Sequence, residues 1–147
     1  MAIVTALTAC NTPQKNTDII GKNDLKIENG RMTPEALWAL GRLGDVQVSP
    51  DGTQLLYGVT YYSVAKNKSN REIFVINTDG SNARQITHSA KSEYAAKWVK
   101  NGTRIAFLSA ESGSVQLWEM NPDGTKRKQI TNHEGGISDF MYSPDGK

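Results

Sequence analysis

The sequence predicts an all-β fold: an incomplete β-propeller of about two and a third four-stranded blades, preceded by one short helix. Three observations predict it. The turn Ser49-Pro50-Asp51-Gly52 returns as Val99-Lys100-Asn101-Gly102 and again as Ser143-Pro144-Asp145-Gly146. Asn77-Thr78-Asp79-Gly80 returns as Asn121-Pro122-Asp123-Gly124, and Arg84-Gln85-Ile86-Thr87 as Lys128-Gln129-Ile130-Thr131, both at an offset of 44 residues. Between these turns, Ile105-Ala106-Phe107-Leu108 is apolar on both faces, as in a sheet sandwiched between other layers. A period in the low to mid forties with several turns in each period is the signature of propeller blades.

The 103 residues from Asp45 to Lys147 hold a little over two periods. The expected blades are 45–88, 89–132 and an incomplete 133–147. Propellers close with typically four to eight blades. The sequence therefore reads as the front end of a longer protein, and each blade needs a neighbour to cover its apolar face.

Ahead of the repeats, residues 1–10 read as a truncated signal with a lipobox-like end, Leu7-Thr8-Ala9-Cys10. Cys10 is the candidate lipidation site. No Lys or Arg precedes Lys15, although a secretory signal carries a basic n-region. The alternative is a free thiol in a tail. Residues 11–31 are polar and lack an apolar period, which reads as linker. Residues 32–44 read as the helix: Thr33 as N-cap, Pro34 at the first position, Glu35 at the positive end of the dipole and Gly44 past the end. Leu37, Leu40 and Leu43 give it an apolar side, which either plugs the first blade or docks on a domain outside this sequence.

Within the first repeat, strands are expected at 45–48, 54–60, 72–77 and 82–87. The first and second turns stand 50 residues apart, so this unit carries six extra residues. The insertion, Tyr61 to Asn70, lengthens the loop between the second and third strands, as a contact loop or a solvated tip. In the second repeat, strands are expected at 95–98, 104–109, 115–120 and 126–131, the last a polar outer edge. Asp123-Gly124 is a hairpin signal that needs positive φ. The third repeat offers one strand, 137–142.

Composition excludes several classes. Seventeen basic and fifteen acidic residues are scattered for a net +2, with no basic stripe, so no nucleic-acid partner is expected. No apolar run reaches the roughly 18 residues of a spanning helix. Membrane contact is expected only through a lipid on Cys10, the one cysteine, which leaves no internal disulfide or cysteine-based metal site. The Asp-Gly turns lack the ligand spacing of a calcium loop. His88 and His133 fall at nearly equivalent places in successive inter-blade loops. No P-loop, HExxH or dinucleotide fingerprint occurs, and no G-x-S-x-G nucleophile elbow. The expectation is no catalytic residue, no metal and no cofactor in these residues.

The pattern from Trp98 to Thr131, with Ile105-Ala106-Phe107, Leu117-Trp118-Glu119-Met120-Asn121 and Gln129-Ile130-Thr131, resembles TolB/WD-like propeller repeats. Two groups carry such repeats: TolB-like periplasmic proteins and peptidases of the prolyl oligopeptidase family. The run Met32-Thr33-Pro34-Glu35-Ala36-Leu37-Trp38, leading into Val46-Gln47-Val48-Ser49-Pro50-Asp51-Gly52, resembles the entry of the peptidases. So does Lys68-Ser69-Asn70-Arg71-Glu72-Ile73-Phe74. The bacterial dipeptidyl and acylaminoacyl peptidases are the most similar group. The resemblance implies a propeller that gates short peptides toward a C-terminal α/β-hydrolase domain with a Ser-Asp-His triad. It also implies a periplasmic or membrane-anchored lipoprotein of a Gram-negative bacterium. The alternatives are a TolB-like protein-binding scaffold without catalysis, or a surface lipoprotein that captures glycans or peptides.

Overall fold

The structure, a computed structural model, describes residues 19–27 and 29–143. Cys10 and Pro144-Asp145-Gly146 of the last turn lie outside the described residues. One helix, α1 (Pro34–Ala39), precedes eight strands: β1 (Arg42–Val48), β2 (Gln54–Ser63), β3 (Lys68–Asn77), β4 (Arg84–Gln85), β5 (Glu93–Val99), β6 (Arg104–Ser109), β7 (Gln116–Met120) and β8 (Lys128–Gln129). They form two antiparallel four-stranded sheets, β1-β2-β3-β4 and β5-β6-β7-β8, each built from consecutive strands. A strand of each sheet is followed at once by its neighbour, and every connection inside a sheet is four to seven residues long.

The two sheets share one core. Leu56, Ile73, Val75 and Ile86 of the first sheet meet Ala96, Ile105, Phe107 and Met120 of the second, with Trp98 and Trp118 at the margin. On its other face the second sheet buries Val99, Ala106, Leu108 and Leu117, and Ile137, Phe140 and Tyr142 pack over them. β6 is thus buried on both faces, in keeping with its unbroken apolar sequence.

The repeated sequence motifs do repeated work. In the third-to-fourth strand turns, Asp79 Oδ1 accepts from Ser81 N–H at 2.8 Å, and Asp123 Oδ1 accepts from Thr125 N–H at 2.8 Å. The side-chain hydroxyls of Ser81 and Thr125 donate to the same oxygens, and these bonds hold both carboxyls below the usual aspartate range. Such turns employ their carboxylates internally. Gly124, at φ +85°, is demanded twice over, because a Cβ there would sit 2.4 Å from the Ile86 carbonyl oxygen of the first sheet.

The Gln-Ile-Thr triplet ends each sheet. Ile86 N–H donates to Ile73 O and Ile130 N–H to Leu117 O, which continues the ladder. The threonine side chain then replaces the backbone: Ile73 N–H donates to Thr87 Oγ1 at 2.8 Å, and Leu117 N–H to Thr131 Oγ1 at 3.0 Å. The glutamine amide donates to the threonine carbonyl at 2.7 Å in both sheets. This switch from backbone to side-chain partners explains why β4 and β8 are two residues long rather than the expected six.

Three further expectations differ from the structure. The helix stops at Ala39, and Gly44 is in β1 rather than beyond a helix end. Gly44 pairs with Gly58, and the Arg71 side chain lies across both. A Cβ on Gly58 would approach Arg71 Nε to 2.5 Å, so both glycines serve a close approach. Arg71 reaches from there to Asp45 Oδ2 at 2.6 Å. Asp45 stands at φ +53° in a β1 bulge, and Ala95 repeats that bulge in β5 at φ +53°.

The insertion is not a loop but a longer hairpin. Tyr61 pairs with Asn70, Tyr62 with Ser69 and Ser63 with Lys68, leaving a short turn at 64–67. Residues 137–142 form no strand. They pair with none of the described strands; Ile137 N–H donates to Val115 O just before β7, and Ile137, Phe140 and Tyr142 pack against the second sheet. Lys97 Nζ donates to Phe140 O at 2.8 Å and sits over the Phe140 ring, and Tyr142 donates to Glu119.

The shared core sets a testable order of stabilities. Phe107→Ala should cost about 3–5 kcal/mol in the full-length protein, because the ring is fully buried between the sheets. Trp118→Ala should cost less, since the indole is half-buried. Lys126→Ala, in the exposed turn before β8, should stay within about 0.5 kcal/mol. Urea midpoints would rank the three, and equal shifts would contradict the sheet register.

Candidate functional surface

The connection pattern gathers the distinctive parts of the chain at one end of the sheets. The β2–β3 and β6–β7 hairpins and the crossovers after β4 and β8 share that end, while the repeated Asp-Gly turns occupy the other. Helix α1 joins the first end because β1 starts there.

Thr33 caps α1, its Oγ1 accepting from Ala36 N–H at 3.1 Å, with Pro34 behind it. Arg42 closes the other terminus. Its guanidinium donates to Leu37 O at 3.1 Å and to Leu40 O at 3.0 Å. The same group lies 5.8 Å from the Trp38 ring centre and 5.6 Å from that of Tyr62. Trp38 and Tyr62 meet edge to face at 5.2 Å. The helix is therefore fastened to the inserted hairpin, the first of the two arrangements expected for it. Asn23 adds a strap, its Nδ2 donating to Tyr62 O at 3.0 Å.

Two shallow clefts flank this aromatic pair. One, of about 410 Å³, is lined by Trp38, Tyr62, Val64 and Lys68 among others. The other, of about 440 Å³, runs along Asn23, Pro34, Glu35 and Ala65. Val64 at the hairpin tip and Trp38 stay exposed, at 68% and 45%. The surface is apolar with a basic margin. It offers contact rather than acid–base chemistry.

His88 and His133 both lie in crossovers, as expected. His133 Nδ1 accepts from Gly135 N–H at 3.2 Å, and its carbonyl accepts from Gln116. Among the described residues no group of three His, Cys, Asp or Glu side chains is close enough to hold a metal ion, and no helix is long and apolar enough to cross a membrane.

Sequence reasoning missed the buried charges at this end. Glu93 is completely buried and ion-paired with Arg127, which also pairs with Glu111 Oε2 at 2.6 Å. The Arg127 guanidinium lies 4.7 Å from the Phe107 ring centre and 5.1 Å from that of Trp118, so it roofs the shared core. Glu72, 1% exposed, accepts from Thr87 Oγ1 at 2.6 Å, Asn70 Nδ2 at 2.9 Å and Ser89 N–H at 2.9 Å. Burial pushes the Glu72 carboxyl up to about 7, and the nearby Glu93 charge adds to the rise. Burial also raises Glu93. The one signal for these groups was the repeat itself, which sets Glu72 opposite Gln116.

Curated relatives agree with the resemblance read from the motifs. Dipeptidyl-peptidase 5 of Porphyromonas gingivalis is 49% identical over 116 residues, covering 79% of this chain and 17% of that protein. Dipeptidyl-peptidase 5 of Porphyromonas endodontalis is 38% identical over 120 residues, 82% of this chain and 17% of that protein. The chain belongs with the N-terminal portion of prolyl oligopeptidase-family peptidases. It spans about a sixth of the length of those two relatives. Matches to the Tol-Pal system protein TolB are shorter, for example 32% identity over 80 residues with that of Albidiferax ferrireducens, 54% of this chain and 18% of that protein.

Two solved structures share the fold. The isopeptidase AtxE2 superposes with a TM-score of 0.62 at 20% identity, over 78% of this chain and 22% of its own. The acylaminoacyl peptidase of Pyrococcus horikoshii superposes with a TM-score of 0.54 at 16% identity, over 67% and 15%. No protein-family model matches the sequence.

Arg42 is the joint between helix and hairpin. Arg42→Ala removes a charged donor from the helix end and a cation from two rings, and should loosen α1 by about 1–2 kcal/mol. Limited proteolysis of the full-length protein should then cut within 31–41 faster than in the parent. An unchanged rate would show that Trp38 and Tyr62 hold the helix unaided.

Proposed function

We propose that these residues form the first blades of the propeller of a serine peptidase in the prolyl oligopeptidase family. In this reading the propeller gates short, flexible peptides toward a C-terminal α/β-hydrolase domain. There a serine attacks the peptide carbonyl, a histidine shuttles the proton and backbone N–H groups hold the oxyanion. Residues 133–143 are the start of a third blade, and Ile137, Phe140 and Tyr142 are its first contacts with the second.

One observation carries the reading. The dipeptidyl-peptidase 5 match spans 120 residues, more than the 103 from Asp45 to Lys147, so it reaches into the segment before the repeats. A match to TolB of Actinobacillus succinogenes also spans 111 residues, but at 27% identity against 38% for the peptidase. The helix therefore lies within the peptidase match, and the higher identity favours the peptidase over propeller repeats in general. TolB remains the second reading because its repeats do match; it would make the propeller a binding scaffold, with repeats running on instead of a hydrolase.

The full-length protein should cleave dipeptidyl substrates and lose that activity to a serine-directed inhibitor, while residues 1–147 expressed alone should not turn over. No activity in the full-length protein would favour the scaffold, and activity insensitive to such inhibitors would rule out a serine peptidase.

The same proposal places the protein in the periplasm or on a membrane of a Gram-negative bacterium, with a lipid on Cys10. Support comes from Leu7-Thr8-Ala9-Cys10 followed by a polar tether. Cys10→Ser in the protein with its native start should abolish lipid labelling and release it from the membrane fraction. A wild type that takes no label and fractionates as soluble would remove the lipid from the proposal.

A further inference from the structure

The inserted hairpin brings together two cavities of different chemistry. The one beside Trp38 and Tyr62 is mainly apolar, and Val64 at the hairpin tip extends it. A second, of about 250 Å³, lies between the hairpin and the crossover after β4. It is lined by Lys66, Lys68, Asn70 and Lys91, with Ile20 and Ala90. Lys68 and Ser69 line both cavities, so the two adjoin along the start of β3. Among the described residues no Asp or Glu lines either one. Lys68 and Lys91 are exposed, and neither pairs with a carboxylate among the described residues. Glu72 stands behind Asn70, its oxygens already accepting from Thr87, Ser89 and Asn70 itself.

Asn70 adds a directional feature to the charged cavity. The residue is 2% exposed, and its Nδ2 donates to Glu72 Oε1 at 2.9 Å and to Ser89 O at 2.8 Å. Those two acceptors fix which end of the amide is which. Oδ1 is left as a buried acceptor with no hydrogen-bond partner. An unsatisfied buried oxygen is costly, and a ligand N–H would satisfy it. Lysine cations beside a free acceptor select an anion that carries a donor next to its charge. The C-terminus of a peptide is such a group: a carboxylate, the N–H of the last residue beside it, and a side chain between them.

The repeat shows that stacking does not require this arrangement. At the offset of 44, Asn70, Ala90 and Lys91 correspond to Ser114, Glu134 and Gly135. Lys66 and Lys68 belong to the insertion, which the second unit lacks. In the second joint Ser114 Oγ is taken up by Gln116 Nε2 at 2.8 Å. The lysines and the unpaired carbonyl are therefore additions to the first unit, as Trp38 and Tyr62 are.

We propose that the inserted hairpin forms a binding site for the C-terminal end of a short peptide with an apolar last residue. The carboxylate lies between Lys68 and Lys91, the last N–H donates to Asn70 Oδ1, and the side chain rests in the cavity of Trp38 and Val64. The choice of a peptide rests on the function proposed above; the preference for an apolar anion rests on the two cavities.

Isothermal titration calorimetry of the full-length protein, treated with a serine-directed inhibitor, tests this with N-acetyl-leucyl-phenylalanine, its C-terminal amide and inorganic phosphate. The acid should bind roughly tenfold more tightly than the amide, and phosphate at the same concentration should not displace it. Lys68→Gln and Lys91→Gln should each bring the acid toward the amide. Trp38→Ala should weaken both ligands, and Lys126→Gln neither. Equal binding of acid and amide, displacement by phosphate, unchanged binding in both lysine variants, or a Trp38→Ala that weakens neither ligand would overturn the proposal. The acid–amide comparison in the wild type stands even if a variant fails to fold. Selective binding of the acid in a protein that cleaves no dipeptidyl substrate would sink the peptidase reading and keep the site. Cleavage without that selectivity would do the reverse.

Discussion

Neither sheet can bury its own core, and the seam between them is the constraint on which the rest of the chain depends. A four-stranded sheet that is apolar on both faces needs a layer on each side. Leu56, Ile73, Val75 and Ile86 find it in Ala96, Ile105, Phe107 and Met120, and the second sheet repeats the arrangement with residues after His133. The crossovers must therefore deliver each sheet face to face with the last. The Gln-Ile-Thr triplet does that. It stops the fourth strand after two residues and turns the third strand's next amide over to a threonine hydroxyl, and in the first sheet it sinks Ile86 into the seam.

Charge placement follows from the same seam. Arg127 leaves the edge strand and crosses Trp118 and Phe107 to reach the buried Glu93. A guanidinium can lie flat on aromatic rings while its edge bonds carboxylates, which an ammonium does less well. The core is thus closed at its upper margin by an ion pair rather than by another apolar side chain. Breaking one partner of such a buried pair leaves the other charge uncompensated, so the closure is costly to disturb even where its net contribution is small.

The sequence revealed most where the determinants were local. Strand β6, expected at 104–109, is found there, because Asn101-Gly102 and Glu111-Ser112-Gly113 mark both its ends and its interior is unbroken. The Asp-Gly turns were equally plain, their bonds spanning two residues. Distant partners hid the rest. Gly44 reads as a helix stop until Arg71 is seen lying across it, and nothing in the residues around Gly44 announces that side chain. Tyr61 to Asn70 was visible as six extra residues, but not that Tyr61 and Asn70 would pair and lengthen both strands. Glu93 and Arg127 look like ordinary surface charges in sequence, because burial is decided by the sheet between them.

The insertion connects these threads to function. A longer hairpin in the first unit alone breaks the equivalence of the blades at one end, and Trp38, Arg42 and Tyr62 use that asymmetry to seat the helix. The repeated parts of the chain build a wall; the unrepeated parts, all at the same end, give that wall one distinguishable face. A propeller that only had to stack would have no use for the difference. On the first sheet the mark is the edge-to-face pair of Trp38 and Tyr62, held by Arg42 and flanked by two clefts.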